Sequence, residues 1–220
     1  MPSYAALLVP ARYDPQLLEK ACRALRRRDP QLRRVMNHAG PCGLETRHDP
    51  YRGLLRSVLF QQLAGAAARA IEARLKALYG GRYPRAERLL ASPERDLKAA
   101  GLSRQKIASL RSIAAAFSEG RLSNRRLRRM DDDAVVEAVT EVRGVGEWTA
   151  HMLLMFSLSR PDVLPVGDYG VRKGAMTLYD LDELPRPAEL ESLAEPWRPY
   201  RSVASWYLWR VEDLPPPSAG

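Results

Sequence analysis

Apolar residues recur three and four positions apart along most of this chain, which is the spacing that gathers them on one face of an α-helix. The stretch from Pro15 to Arg28 is typical, and its apolar face would carry Leu17, Leu18, Ala21, Cys22 and Leu25. After residue 12 there is no convincing alternation of apolar and polar residues, the pattern of a half-buried strand. The spacing therefore predicts an all-α fold.

Prolines, glycines and capping side chains divide the chain into further helices. They are predicted over residues 51–64, 66–79, 131–141, 147–158, 168–179, 187–195 and 200–211, with another that opens at Ser103 and ends near Gly120. Pro30 is expected to stop the first helix, and Ser92 to cap a helix that begins at Pro93. Residues 121–129 hold five arginines and no acid, as on a solvated helix face.

The charge balance indicates what the chain binds. Lys and Arg number 35 against 26 Asp and Glu, so the net charge is +9. Such an excess favours a polyanionic partner, either a nucleic acid or an anionic membrane surface. No apolar run approaches the length of a membrane span or of a signal peptide. We therefore expect a soluble cytoplasmic protein that uses no membrane and associates with the nucleoid if it is bacterial.

The cysteines and histidines argue against a zinc site. Cys22 and Cys42 form no CxxC pair, and the three histidines, at positions 38, 48 and 151, complete no zinc spacing. Two cysteines are also too few for a four-cysteine iron–sulfur cluster. Two free thiols fit a reducing compartment.

The strongest local motif is a glycine-rich turn between two predicted helices, Val-Arg-Gly-Val-Gly-Glu-Trp-Thr-Ala over residues 142–150. Gly144 and Gly146 allow a tight turn and a close approach to a phosphate group. The next helix would direct its free N–H groups at the same phosphate. The candidate phosphate-binding residues are Gly144, Val145, Gly146 and Thr149, and their contact would be blind to base sequence.

This turn resembles the helix-hairpin-helix of the DNA glycosylase superfamily that carries a Gly/Pro-rich loop and a catalytic aspartate. Residues 59–63, Leu-Phe-Gln-Gln-Leu, are similar to the family's DNA-penetrating segment, and residues 162–173 to the segment that holds the aspartate. The resemblance covers about residues 50 to 210 and is closest to the 3-methyladenine DNA glycosylase II type, in a short form without the N-terminal β-rich domain. It implies two helical lobes with a cleft between them, residues 1–50 with 165–220 and residues 51–164, with the hairpin at about 131–158.

By this resemblance Asp168 is the catalytic aspartate. An ionised carboxylate would stabilise the oxocarbenium character of a breaking N-glycosidic bond or orient the attacking water. Taken alone, the local sequence favours an N-cap, since Asp168 precedes a predicted helix. The two roles are compatible, since a helix N-terminus keeps a carboxylate ionised.

The resemblance also implies a base pocket and a single reaction step. Trp148 takes the position of the lysine nucleophile of bifunctional members, so we expect base hydrolysis alone, which leaves an abasic site. Trp148 and Tyr200 would stack on a cationic methylated purine, with Phe60 and Met152 beside them. For most of the chain's other aromatic residues, Tyr169 and Trp209 among them, we expect ordinary core packing.

Two further expectations follow from the resemblance. Gln62, or else Leu63, would fill the gap left by an extruded nucleotide, whereas the alternative is a helix end with Leu63 buried. Backbone carbonyls of Thr140, Val142 and Val145 would hold Na⁺ or K⁺, since they are hard oxygen ligands. No other cofactor is expected.

The function predicted from these residues is base-excision repair by a monomeric, monofunctional DNA glycosylase that removes alkylated purines from double-stranded DNA. One alternative is an enzyme of the same fold that acts on oxidised or deaminated bases. The other is a non-catalytic helix-hairpin-helix DNA-binding protein.

Overall fold

The computed structural model describes residues 13–46, 48–63 and 65–211. Within these ranges the chain is helical and contains no β-strand, so the predicted all-α class is confirmed. None of the helices in the described ranges combines the length and the apolar character needed to cross a membrane. In chain order the α-helices are α1 (Pro15–Arg28), α2 (Pro30–Ala39), α3 (Pro50–Phe60), α4 (Gly65–Ala77), α5 (Ala86–Ala91), α6 (Glu94–Ala99), α7 (Arg104–Ser118), α8 (Asn124–Arg129), α9 (Asp132–Thr140), α10 (Glu147–Phe156), α11 (Tyr169–Leu178), α12 (Pro187–Ala194) and α13 (Arg201–Leu208), and a 3-10 helix covers Glu195–Trp197.

The chain divides into two compact units. The first comprises Arg47–Leu158 together with Met1–Pro10, and its described part holds α3 to α10. The second comprises Ala11–Thr46 and Ser159–Gly220 and holds α1, α2 and α11 to α13. The predicted lobes had their boundaries after residues 50 and 164, and the parts of them at 1–12 and 212–220 lie outside the described residues.

Helix α3 is the centre of the first unit. It packs against α4, α7 and α10, and α9 packs against α10. Four of its side chains have no exposed surface, namely those of Leu54, Leu55, Val58 and Leu59. Burial of each such side chain contributes about 1.5–3 kcal/mol relative to leaving it in water. The C-terminal end of α3 is thereby held in a fixed place in this unit.

In the second unit, α13 packs against α1, α2 and α11. Gly174 of α11 lies so close to α13 that an added Cβ would come within 2.2 Å of the backbone oxygen of Leu208. Only a residue without a side chain permits this approach. The contact holds α11 at a fixed distance from the end of α13.

Asp29 ties three distant segments of the second unit together. Its Oδ1 accepts the amide of Leu32 at 2.9 Å and so caps α2. Its Oδ2 accepts the hydroxyl of Tyr179 and the indole N–H of Trp197, the latter at 2.7 Å. The carboxylate is only 7% exposed, so its charge is balanced by these donors rather than by water.

Some predicted boundaries were wrong, and each error has a local cause. Pro30 begins a helix instead of merely ending one, because proline is well suited to a first helical position and Asp29 caps the next turn. Ser92 ends α5 and its hydroxyl donates to the carbonyl of Arg88, so it does not cap α6. Two short helices, α2 and α5, were not predicted, and α8 lies within the arginine-rich stretch that was interpreted as a solvated helix face.

Candidate active site

The hairpin turn connects α9 to α10 through residues 141–146. Gly144 has φ = +84°, a left-handed conformation that glycine adopts without strain. A Cβ at this position would also lie 1.9 Å from Oγ of Ser109. Backbone conformation and packing therefore both require glycine at residue 144.

Gly146 is the exposed N-cap of α10. Its φ of −102° and ψ of 178° are ordinary extended values, and an added Cβ would meet no atom within 4 Å. It offers no side chain to cap the first turn of α10. An open approach to a helix N-terminus of this kind is suited to a phosphate group.

The two other candidate phosphate-binding residues face inward. Val145 is 5% exposed, and its amide closes the turn by donating to the carbonyl of Val142 at 3.0 Å. Thr149 is 1% exposed, and its hydroxyl accepts the side-chain amide of Gln61 at 3.1 Å. The side chains of both residues thus support the turn from within, whereas Gly144 and Gly146 are exposed.

A single lysine holds the C-terminal end of α3. The ammonium group of Lys106 donates to the carbonyls of Val58, Leu59 and Gln61 at 2.8, 2.8 and 2.9 Å. Cations are favourable at this end of a helix, where carbonyls lack intrahelical partners. Burial lowers the pKa of Lys106. The lysine neutralises the helix end and sets where the chain leaves it.

Gln62 and Leu63, the two candidates for the wedge residue that fills the gap left by an extruded nucleotide, lie just after the end of α3. The predicted helix over 51–64 ends early, at Phe60, and Gln62 has φ = +55°. The expected end at Ala64 lies outside the described residues. Gln62 is exposed and Leu63 is 37% exposed, so the alternative of a buried Leu63 is wrong. The left-handed turn presents both side chains at the surface.

Gln61 connects this turn to the hairpin. Its side-chain amide donates to the carbonyl of Gly144 and to the hydroxyl of Thr149, both at 3.1 Å. Sequence reasoning assigned no role to Gln61 or Lys106. Gln61 lies within residues 59–63, the segment similar to the family's DNA-penetrating segment, so it could have been proposed from the sequence. Nothing in the sequence around Lys106 indicated its partners.

Three of the four candidate pocket residues line one cavity of about 290 Å³ in the first unit: Phe60, Trp148 and Met152. His48 and Arg56, which sequence reasoning did not identify, line it as well. The fourth candidate, Tyr200, belongs to the second unit and is 7% exposed there. Its place in a base pocket stays a prediction.

The cavity has an aromatic wall and a polar side. The guanidinium of Arg56 lies 3.9 Å from the ring centroid of Phe60, so this ring face already binds a cation. Burial, and then the charge of Arg56, lowers the pKa of His48, so its imidazole is neutral at pH 7. A neutral imidazole offers one donor and one acceptor.

Asp168 is the N-cap of α11, as predicted from the sequence. Its Oδ1 accepts the amide of Val171 at 2.9 Å and the indole N–H of Trp209 at 2.8 Å. The N-terminal end of α11 favours the ionised carboxylate, and two donors from separate helical segments fix its orientation. Sequence reasoning assigned Trp209 to core packing and missed this contact. Tyr169, also assigned to packing, is 66% exposed beside the carboxylate.

A protein-family model described as "HhH-GPD superfamily base excision DNA repair protein" matches residues 55–199. That range covers the C-terminal half of α3, the hairpin, Asp168 and α11 and is well over half of the chain. The chain belongs to the HhH-GPD superfamily. The resemblance identified in the sequence is therefore confirmed, and with it the assignment to base excision DNA repair.

Relatives and solved structures within this superfamily support the same placement. The HhH-GPD chain is 36% identical to DNA-3-methyladenine glycosylase 1 of Schizosaccharomyces pombe over 76% of its own length and 74% of the relative. It matches the structure of the 3-methyladenine DNA glycosylase Mag1 of S. pombe in complex with abasic DNA with a TM-score of 0.84 and 34% identity, covering 89% of this chain and 97% of that one. A DNA-3-methyladenine glycosidase of Bacillus halodurans matches with a TM-score of 0.77 and 36% identity, over 86% and 88% of the two chains.

Proposed function

We propose that this HhH-GPD protein is a monofunctional DNA glycosylase that hydrolyses the N-glycosidic bond of alkylated purines in double-stranded DNA. The observation that carries the proposal is the carboxylate of Asp168, held at the N-terminus of α11 by the amide of Val171 and the indole of Trp209. Its relatives named as 3-methyladenine glycosylases support the choice of alkylated purines.

The role proposed for Asp168 is electrostatic. As the bond to the damaged base breaks, the deoxyribose gains positive charge, and a fixed anion stabilises that charge or orients the attacking water. Two neutral donors hold the carboxylate in place without cancelling its charge. One such preorganised interaction accelerates a reaction by about 10²–10³-fold.

The role proposed for the cavity of the first unit is to bind the extruded base. Trp148 supplies an aromatic face for a cationic methylated purine, and Tyr200 is proposed as a second stacking residue. Met152 and Phe60 complete the apolar wall, and the neutral imidazole of His48 supplies hydrogen bonds to the base edge. A methylated purine is also a good leaving group. Selection of damaged over normal bases therefore does not depend on stacking alone.

The DNA contacts are proposed for two surfaces of the first unit. Gly144, Gly146 and the first turn of α10 bind the phosphate backbone, a contact that does not depend on the base sequence. Gln62 or Leu63, exposed on its left-handed turn, enters the base stack when the nucleotide is extruded. The protein acts as a monomer on damaged duplex DNA in the cytoplasm, at the nucleoid if it is bacterial.

A monovalent cation fits the hairpin as a structural ion. Thr140 ends α9, where backbone carbonyls lack helical partners. The carbonyl of Val142 accepts the amide of Val145 and keeps a second lone pair for a ligand. With the carbonyl of Val145, these neutral oxygens would suit Na⁺ or K⁺, which would stabilise the turn and supply no catalytic chemistry.

The single-step reaction rests on Trp148. This residue takes the position of the lysine nucleophile of bifunctional members, and none of the described residues lining the cavity is a lysine. Without an amine there, no Schiff base with the sugar is formed. The product is an intact strand with an abasic site.

The test is release of free base from methylated genomic DNA, analysed by mass, for the wild-type protein and Asp168→Asn. The asparagine oxygen can still accept from Val171 and Trp209, so folding and DNA binding should persist while single-turnover excision falls by orders of magnitude. Excision within a few-fold of wild type would refute the role of Asp168. A covalent species trapped by borohydride would refute the single-step reaction.

A panel of duplexes with single lesions separates the alternatives. Release of 3-methyladenine or 7-methylguanine supports the proposal. Release of oxidised or deaminated bases alone would replace the substrate class, and absence of any released base would identify a DNA-binding protein without glycosylase activity.

A further inference from the structure

One arginine in the wall of the first unit's cavity carries hydrogen-bond donors that the fold does not use. Arg56 lies on α3 and lines the cavity together with Phe60 and Trp148. Its guanidinium lies 3.9 Å from the ring centroid of Phe60, and its Nε lies 3.9 Å from Oε2 of Glu72. The second distance is that of an ion pair and is too long for a hydrogen bond. The five N–H donors of Arg56 therefore have no acceptor among the described residues.

Glu72 fixes where this guanidinium lies. The residue is on α4, which packs against α3, and it is 8% exposed. Its Oε1 accepts the ammonium of Lys76 and the hydroxyl of Tyr83, each at 2.6 Å, which leaves Oε2 to face Arg56. Against the effect of burial, the hydrogen bonds from Lys76 and Tyr83 lower the pKa of Glu72, so the carboxylate is ionised at pH 7. A fixed anion thus holds the cation in the cavity wall.

The rest of the wall decides what kind of acceptor Arg56 can meet. The cavity of about 290 Å³ is lined by the side chains of Phe60, Trp148, Met152 and Phe156 besides its polar residues. Aromatic and thioether groups suit a flat ring and do not solvate a phosphate. The acceptor that fits both the apolar wall and the free donors of Arg56 is a polar atom on the edge of a purine.

Purines differ at position 6 in the property that an arginine detects. A guanine carries the acceptor O6 there, whereas an adenine carries an amino group, which donates. Arginine has donors and no acceptor, so it pairs with O6 and is mismatched with the amino group. Methylation at N3 or N7 leaves O6 unchanged. A guanidinium in the wall therefore distinguishes methylated guanines from methylated adenines.

We propose that Arg56 is a specificity-determining residue that donates to O6 of an extruded purine, and that Glu72 is the positioning residue that holds it. The inference rests on the proposed glycosylase function and names its preferred substrates, methylated guanines over methylated adenines. The charge of Arg56 by itself would repel a cationic base of either kind, and the carboxylate of Glu72 offsets that repulsion. The hydrogen bond to O6 is what separates the two kinds.

Methylated genomic DNA tests the inference, because it contains both 7-methylguanine and 3-methyladenine. The measured quantity is the ratio of their single-turnover release rates in one reaction, each corrected for spontaneous loss of the base. Arg56→Met keeps the aliphatic stem and removes the donors, so we expect the ratio of 7-methylguanine to 3-methyladenine to fall about tenfold. A damaged fold would lower both rates and leave their ratio unchanged.

Two further variants assign the roles. Arg52→Met is the matched control, since Arg52 is one turn earlier on α3, is exposed and pairs with Asp49 at 3.1 Å. It should keep the wild-type ratio. Glu72→Gln keeps an oxygen for Lys76 and Tyr83 and removes the charge that faces Arg56, so the ratio should fall, by less than in Arg56→Met. An unchanged ratio in Glu72→Gln would overturn its positioning role.

Product inhibition gives a measurement that needs no variant. Free 7-methylguanine retains O6, so it should inhibit the wild-type protein more strongly than free 3-methyladenine does. Inhibition of equal strength, or in the reverse order, would overturn the inference.

The remaining outcomes separate this inference from the function on which it rests. An unchanged ratio in Arg56→Met, with an active wild-type protein, would overturn the role of Arg56 and leave the glycosylase function standing. An equal loss of both rates together with a weaker dependence on salt would place Arg56 on a phosphate, which also overturns the inference. Absence of any base released by the wild-type protein would refute the glycosylase function and the inference with it.

Discussion

Asp168 shows how one side chain serves both structure and chemistry. The same oxygen that caps α11 also accepts the indole N–H of Trp209, which lies 41 positions along the chain. A cap alone would hold the carboxylate on one side. The second donor, on another helical segment, removes the remaining rotation, so Trp209 is a positioning residue for the proposed catalytic group.

Trp209→Phe tests this role. The ring is largely conserved and the hydrogen bond to Asp168 is lost, so we expect kcat to fall about 10- to 100-fold, equivalent to the roughly 1.5–3 kcal/mol of a hydrogen bond to a charged group. KM for methylated duplex and the thermal midpoint should change little. Steady-state kinetics of base excision measures kcat and KM, and thermal unfolding measures the midpoint.

The matched control is Trp206→Phe, three positions earlier on α13. Trp206 packs against Tyr207 and Arg210. It should retain near-normal kcat. An equal loss of kcat in both variants would mean that Trp209 acts through packing.

At the scale of elements, the two glycines of the hairpin differ in role. The fold requires Gly144, whereas Gly146 is open to a ligand. Gly146→Ala introduces a methyl group into open space on an ordinary backbone, so the fold should be retained. The methyl group would obstruct the approach of a phosphate. We expect affinity for damaged and undamaged duplex to fall by similar factors, as measured by titration at fixed salt.

Gly144→Ala is the contrasting variant. Its Cβ would lie 1.9 Å from Ser109 Oγ at a φ of +84°, so it should lower stability before any question of binding arises. If Gly146→Ala weakened lesion binding alone, the hairpin would belong to the base pocket and not to a phosphate site.

The end of α3 provides a second prediction for an element. Lys106→Met keeps the aliphatic stem and removes the three hydrogen bonds to the carbonyls of Val58, Leu59 and Gln61 at the end of α3. We expect a stability loss of about 1–3 kcal/mol and a less well-defined turn at Gln62 and Leu63. Excision from a fully paired duplex should then fall more than excision of the same lesion opposite a mismatch, where extrusion is easier.

Lys106→Arg is the conservative control and should restore part of the paired-duplex activity. Equal losses on paired and mismatched substrates, with normal stability, would show that Lys106 has no role in presenting the wedge. The ratio of the two excision rates separates this role from a general loss of fold.

On the scale of the molecule, Asp29 holds one unit together across distant parts of the chain. Asp29→Ala removes the cap of α2 and leaves the buried donors of Tyr179 and Trp197 without an acceptor. We expect the free energy of unfolding to fall by about 3–5 kcal/mol, the sum of a lost cap and two unsatisfied groups. Denaturant unfolding measures this free energy, with Asp29→Asn as the control variant. A loss below about 1 kcal/mol in Asp29→Ala would contradict the prediction.

Much of the organisation could be read from local patterns. Helix α1 was predicted with its observed bounds, and Asp168 was predicted at the start of α11, because periodicity and capping are set by residues within a few positions of each other. Helix α5 was missed because its six residues give too few turns for an apolar face to show. The early end of α3 depends on Lys106, more than forty positions away.

The sequence by itself determined the all-α class, the superfamily, the glycine turn and the place of Asp168, since each depends on residue types at short, fixed spacing. Only the tertiary structure decided that Trp209 orients Asp168, that Lys106 and Gln61 hold the turn at Gln62 and Leu63, and that Thr149 faces inward. These are contacts between segments far apart in the chain. Their partners depend on how whole helices pack, and helix packing reflects the combined shape of many side chains rather than any local motif.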